Sequence, residues 1–246
     1  MKYLYIIVIA CTIMGCNFQN IEIRGTTPGK DGDVVSIINL EGTTILAANI
    51  KSGRYEIVQQ PLPAYGYYTL SVMSGGFPHD FEVYLEPGKY TIDIPKKDGD
   101  YPKIITDSKV QRSLSVYYNF ENSVMAKYRE EKDMWVAKLN DPKIKTMPQA
   151  GFSNILAKVA STRDREHGLH IAVMDMFINK YPKSDIVPHI ITNMDYQTDP
   201  YPYYILYKKL SPEAQNSDEG KQVGKELQQL VKKTEQKKTP KSVSNS

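Results

Sequence analysis

His167 and His170 have the residue types and spacing closest to a reactive site. In Glu166-His167-Gly168-Leu169-His170 they stand three apart, so on a helix they share one face and their rings can approach a common metal ion. Zinc needs at least one more ligand, and the H-E-x-x-H arrangement that sets a general base beside the metal is absent. Gly168 between them marks a helix irregularity or a close packing contact. Surface or half-buried histidines are therefore the simpler expectation, and no metal or cofactor is expected. His79, beside Asp80, and His189, after Pro188, have no partner visible in the sequence.

Nucleophilic chemistry has no better footing. There is no G-x-S-x-G elbow. Gly151-Phe152-Ser153 reads as the opening of a helix, with serine as a cap. Ser74-Gly75-Gly76 reads as a hairpin turn and not as a phosphate-cradling loop. Glu130-Glu131 sits in the charged run from Arg129 to Asp133, which reads as a solvated helix face. The expectation is that the chain is not an enzyme. The alternative is a hydrolase site assembled from scattered carboxylates and histidines that only the fold brings together.

Cysteine narrows the chemistry further. The chain has two, Cys11 and Cys16, both near the start. Lys2 precedes an apolar run from Tyr3 to Met14, which is shorter than the roughly 20 residues a membrane-spanning helix takes. The layout fits a secretory signal. Ile13-Met14-Gly15-Cys16 resembles the lipobox of bacterial lipoproteins, an aliphatic and a small residue before a cysteine. That resemblance implies cleavage after Gly15 and attachment of diacylglycerol to the Cys16 thiol, usually with acylation of the new amine. Two or three acyl chains, at about 0.8 kcal/mol per buried methylene, give durable anchoring where one does not. The mature chain then has no free thiol, no disulfide and no C-x-x-C pair. At roughly 230 residues it is long enough to bury a core without covalent staples.

Net charge is +3, and the basic excess lies at the end: Lys221, Lys225, Lys232, Lys233, Lys237, Lys238 and Lys241 against Glu226 and Glu235. Nucleic-acid binding needs a basic face on a folded motif and is not expected. Such a tail beside a membrane reads as a solvated end or a weak electrostatic contact. Tyrosine is enriched, with eighteen residues clustered at Tyr65-Gly66-Tyr67-Tyr68, Tyr117-Tyr118 and Tyr201-Pro202-Tyr203-Tyr204. A stiff ring with a polar tip suits a binding groove, and equally a packed strand face. Packing is the simpler reading for each cluster.

The elements that must position these residues fall in two blocks. From Ile21 to about Thr106, short alternating or β-branched segments are punctuated by turn residues, as at Glu41-Gly42, Ser52-Gly53 and Pro87-Gly88. Seven or eight strands at this spacing predict an antiparallel β-sandwich or barrel. Beyond Asp107 the period becomes helical: Val110, Leu114, Tyr117, Val124, Tyr128, Trp135 and Leu139 form a stripe with a gap near Glu121. Asp141-Pro142 ends that helix and a linker runs to Gly151. A second helix runs from about Phe152 to Tyr181, and a third covers Ser184 to Met194 with Ser184 as its cap. Pro188 is awkward there unless the helix begins late. A short helix covers Tyr204 to Leu210, and Ser211-Pro212-Glu213 is a cap and first turn. The last helix starts near Ser217-Asp218-Glu219 and buries Val223, Leu227 and Leu230. The fold class is α+β, with a leader at 1–15, a strand-built domain at 16–106, a helical domain at 107–233 and a disordered basic tail at 234–246.

This pattern resembles a domain of unknown function (family 4369) found just behind the lipobox of many Gram-negative lipoproteins. The likeness rests on Ile23-Arg24-Gly25, Gly53-Arg54-Tyr55, Leu62-Pro63 and Leu85-Glu86-Pro87-Gly88-Lys89, and on Phe177-Ile178-Asn179-Lys180-Tyr181-Pro182-Lys183-Ser184 in the helical block. It covers roughly residues 20 to 230. In most of those proteins a thioredoxin-like domain with a C-x-x-C pair comes next; after Val223-Gly224 no Trp-Cys and no second cysteine follow. The resemblance implies an exported lipoprotein of a Gram-negative cell envelope, held by its lipid, with the outer membrane as the expected place. It also implies a non-catalytic module that binds a protein partner or a second copy of itself. The alternative is an accessory subunit for a separate thiol–disulfide oxidoreductase.

Overall fold

The computed structural model describes residues 20–74, 77–96 and 99–238. Gly15, Cys16 and the leader lie outside them. The chain divides into two compact units. The first holds the strands and continues to Arg112; the second holds 99–101 and everything from Ser113 onward.

The first unit has eight strands: β1 (Asn20–Thr26), β2 (Val34–Ile38), β3 (Thr44–Asn49), β4 (Arg54–Pro61), β5 (Gly66–Ser74), β6 (Phe77–Leu85), β7 (Gly88–Asp93) and β8 (Lys103–Thr106). They form two four-stranded sheets, in the orders β4-β1-β7-β8 and β3-β2-β5-β6. The expected barrel is not closed, because each sheet keeps two free edges. Alternation drives the arrangement. Ile21 and Ile23 on β1, Val35 and Ile37 on β2, and Tyr90 and Ile92 on β7 point one way into a single buried cluster that draws on both sheets.

The expectation of an antiparallel block needs one correction. β1 and β7 pair in parallel, with Ile21 opposite Gly88 and Arg24 opposite Thr91. These strands are far apart in the chain, so no hairpin turn constrains their direction.

The free edges differ. β4 carries Arg54 and Glu56 and ends at Pro61, with a register shift against β1 between Ile21 and Ile23. β6 carries Pro78, Asp80 and Glu82, and its Tyr84 amide donates to the buried Gln111 side chain at 2.6 Å. β8 is four residues long and begins with Lys103. β3 has no charge and no proline; its one irregularity is a register shift against β2 between Ile37 and Ile38. Charge, proline and short length are the usual protection of an edge.

The second unit is helical. α1 (Lys109–Asn140), which begins in the first unit, and α2 (Gln149–Lys180) are 32 residues each, so each is about 48 Å long. A 3-10 turn over Pro142–Thr146 joins them, its first amide capped by the Asp141 carboxylate accepting from Lys143 N–H at 2.8 Å. α2 thus starts earlier than Gly151, and Ser153 is an exposed position inside it, not a cap. α3 (Val187–Thr192) begins late, as Pro188 requires, so Ser184 lies before it and does not cap it. α4 (Pro200–Lys208), α5 (Pro212–Asn216) and α6 (Asp218–Lys238) follow. Ser211 caps α5 by accepting from the Ala214 amide. Val223, Leu227 and Val231 are buried along α6, with Leu230 only half-buried. Gly224 lies inside α6, where a Cβ would stand 2.3 Å from the Tyr207 hydroxyl, so the ring packs where a side chain would be. Residues 234–238, expected to be disordered, continue α6; residues 239–246 lie outside the described residues.

Apolar contact between α1 and α2 centres on Met125, Tyr128 and Val173, with Tyr117 edge-to-face on Phe177 at 5.1 Å. Polar rungs continue along the pair. Glu121 Oε1 lies 2.9 Å from His170 Nδ1, Tyr128 OH donates to the Thr162 carbonyl at 2.8 Å, Lys132 bonds both Glu166 oxygens, and Arg165 bonds Glu131. The run Arg129–Asp133 is therefore only partly a solvated face. Burial alone would raise the Glu166 pKa, but the hydrogen bond and charge of Lys132 outweigh it and hold the carboxyl below the ordinary carboxylate range. A depressed folded pKa contributes stability that is present above the unfolded value and lost as pH falls through the folded one. The prediction is that α1–α2 weakens as pH falls through the carboxylate range. Lys132→Met should flatten this dependence. Fluorescence of Trp135, the chain's one tryptophan, during urea titrations at several pH values reads it; an unchanged pH slope in the variant would refute the assignment.

Candidate functional site

The groove of interest arises at a hairpin that does not stay closed. Ser52 (φ 51°) and Gly53 (φ 69°) form a two-residue turn of the left-handed kind, and Lys51 and Arg54 exchange both backbone hydrogen bonds across it. The Asp31 carboxylate accepts from the Ser52 amide at 2.6 Å and steadies the strained residue. Beyond this rung the strands part: β3 joins one sheet and β4 the other. An open groove of about 730 Å³ lies in the split.

One wall is the end of β3, where Ala47 and Asn49 are exposed. Facing it are Arg54 and Glu56 on β4, with Arg24 and Thr26 on β1 and Asp93 on β7 beyond. Their charges are unequally engaged. Arg24 pairs with Glu22 on its own strand, and Lys89 reaches the same carboxylate at 3.6 Å. Asp93 accepts from the Thr26 amide at 3.1 Å and the Thr26 hydroxyl at 2.8 Å. Lys51 and Arg54 are exposed, and their side chains make no ion pair or hydrogen bond among the described residues. The groove thus offers two free cations, one unpaired carboxylate (Glu56) and the unpaired backbone edge of β3.

The floor depends on Gly25 and Tyr55. These residues face each other in the β1–β4 register. A Cβ on Gly25 would stand 1.7 Å from the Ile92 carbonyl oxygen, so only glycine lets β7 approach here. Tyr55 passes over the same point and donates its hydroxyl to that carbonyl at 2.8 Å. Burial, helped by the Asp93 charge, pushes the Tyr55 pKa far up, so the phenol stays neutral and remains a donor.

The sequence-derived candidates fare differently. Cys16 and Gly15 lie outside the described residues. The His167 side chain is likewise not described, and His170 is paired with Glu121, the residue that fills the gap in the α1 stripe. Among the described residues no group of three His, Cys, Asp or Glu is placed to hold a metal ion. His189 does have partners: it is buried, its Nε2 lies 3.2 Å from Asn193 Nδ2, and Glu219 is 3.7 Å from Nδ1. The tyrosines are mostly packing residues. Tyr117 and Tyr203 are fully buried, Tyr67 packs on Tyr84 at 5.1 Å, and Tyr201 is exposed. The groove itself was not anticipated, although Arg24-Gly25 and Arg54-Tyr55, already singled out, line it. The available signal was the uncharged stretch Thr44–Asn49 between two turns.

No protein-family model, curated protein or solved structure matches the chain. No described helix is long and apolar enough to cross a membrane.

Gly25→Ala is expected to destabilise the first unit by about 3 kcal/mol through overpacking against backbone that cannot retreat. Tyr55→Phe leaves the Ile92 carbonyl unpaired and should cost about 1–3 kcal/mol. Urea denaturation followed by circular dichroism measures both. A Gly25→Ala protein as stable as the parent would contradict the close approach described.

Proposed function

We propose that this chain is an exported lipoprotein of a Gram-negative envelope, held at the membrane through Cys16, whose strand-built unit is a non-catalytic interaction module. In this reading the two sheets form a sandwich of the kind found behind the lipobox in family 4369. The split between β3 and β4 is its binding surface, and the outer membrane is its place. The observation that carries the reading is that split: an uncharged strand edge beside two unengaged cations. A free edge supplies main-chain hydrogen bonds to an extended segment, and flanking side chains set its register. Lys51 and Arg54 favour a segment that carries carboxylates.

The anchor and the module belong together in this proposal. Asn20 lies four positions after Cys16, so β1 begins within roughly 14 Å of the Cys16 α-carbon at full extension. The module then works at the membrane surface.

Two measurements test it. Cys16→Ser should abolish labelling by a clickable palmitate; undiminished labelling removes the anchor. A photo-crosslinking residue at Ala47 should give a discrete adduct in cells that Arg54→Glu eliminates, while the same residue at exposed Ile105 on β8 gives none. An Ala47 adduct indifferent to Arg54→Glu, or no adduct, refutes the groove as the binding surface.

A further inference from the structure

Among the four outer strands of the first unit, β3 is the one with neither charge nor proline. Its main-chain groups divide between two sides. Ile50 N–H donates to the Asp33 carbonyl at 2.8 Å, and the Ile50 carbonyl accepts from the Gly32 amide at 3.0 Å. Alternation along the strand then turns Ala48 and Leu46 toward β2 as well, in register with Val35 and Ile37. It turns the amides and carbonyls of Ala47 and Asn49 toward the groove. The two ends of β3 carry opposite charge. Glu41 lies in the turn before the strand, which the Asn39 amide closes on the Thr43 carbonyl, and Lys51 follows the strand, opposite Arg54. Glu41 and Lys51 are exposed, and neither side chain makes an ion pair or hydrogen bond among the described residues. Leu40, beside Glu41, is 84% exposed.

A strand with an acid at one end and a base at the other is complementary to its own reverse. Turned about a two-fold axis at Ala47, a second β3 runs antiparallel to the first, with Ala47 opposite Ala47 and Asn49 opposite Ile45. The two Ala47 residues then exchange N–H to carbonyl hydrogen bonds. Glu41 of each copy comes within about two residues of Lys51 of the other, the diagonal spacing at which long side chains meet across strands. Symmetry makes this contact twice. A parallel pair would instead set Glu41 beside Glu41 and Lys51 beside Lys51, which like-charge repulsion opposes.

We propose that the groove takes the β3 edge of a second copy of this chain, so that two β3-β2-β5-β6 sheets join edge to edge. The inference rests on the reading of the β3–β4 split as a binding surface, and it names the occupant: the carboxylate that Lys51 engages is Glu41 of the second copy. An unprotected edge is a template for another strand. Self-pairing covers the β3 edge of both copies at once, and the assembly closes at two. An acidic segment of a different protein is the competing occupant and is separated by the test.

The full chain carrying Cys11→Ser and Cys16→Ser has no thiol of its own, so one added cysteine reports proximity alone. The protein is held in detergent and oxidised with copper phenanthroline. Ala47→Cys is expected to give a disulfide-linked dimer, because opposed residues of a hydrogen-bonded antiparallel pair stand about 5.5 Å apart, within disulfide range. Asn49→Cys, about 14 Å from its counterpart in this register, should not link. Neither should Ile105→Cys, at an exposed position on β8. In the Ala47→Cys chain, Glu41→Lys or Lys51→Glu alone should reduce linkage about tenfold. Mixing those two variants should restore it, since each swapped charge then meets its opposite. No link at Ala47, equal links at Ala47 and Asn49, or a mixture that links no better than either variant alone overturns the proposal. The binding-surface reading fails or stands separately. An Ala47 photo-adduct in cells that holds a different protein and still needs Arg54 keeps that reading and overturns this one. Absence of any adduct removes the surface itself.

Discussion

The hydrogen bond from the Tyr55 hydroxyl to the Ile92 carbonyl, passing over Gly25, is the contact on which the strand-built unit depends. It joins β4 to β7 across the strand between them, and those three strands come from distant parts of the chain. The β1–β7 pair is parallel, and parallel pairing is slightly weaker per residue. A buried phenol on the carbonyl reinforces the sheet where that ladder ends. The residue types are forced: glycine to clear the space, and tyrosine because phenylalanine has no donor and a charged residue would pay desolvation. Drawing β4 into this sheet has a consequence for its neighbour in the chain. β3 is committed to β2, so the Lys51–Arg54 hairpin must open, and the groove is the space it leaves.

The helical unit is held together by a different balance. Two helices of this length offer a narrow seam, and the apolar cluster at Met125, Tyr128 and Val173 covers only part of it. Toward the far end, polar rungs replace apolar ones: Tyr128 on the Thr162 carbonyl, then Lys132 with Glu166, then Arg165 with Glu131. Exposed ion pairs of this sort stabilise weakly, by up to about 1 kcal/mol each. Their contribution to alignment is larger. Each rung ties a position on one helix to a position on the other, so sliding one helix along the other breaks several of them together.

Much of the architecture was legible because burial and periodicity coincide. The alternation in Ile21–Arg24 and Thr91–Ile94 and the stripe Leu114–Tyr117–Tyr128 lie where a period of two and a period of 3.6 place them. Pro188, Pro200 and Pro212 each stand in a first helical turn, the position proline tolerates. What was not legible involves partners remote in sequence. The gap at Glu121 looked like a fault in the stripe until His170 stood opposite it. The parallel pairing of β1 with β7 leaves no local trace. The same is true of the groove: only the divergence of β3 and β4 sets Lys51 and Arg54 beside an open strand edge. Arg24-Gly25 and Gly53-Arg54-Tyr55 were visible as motifs, yet their chemistry was ambiguous, because Gly25 and Tyr55 serve the fold while Arg54 faces solvent.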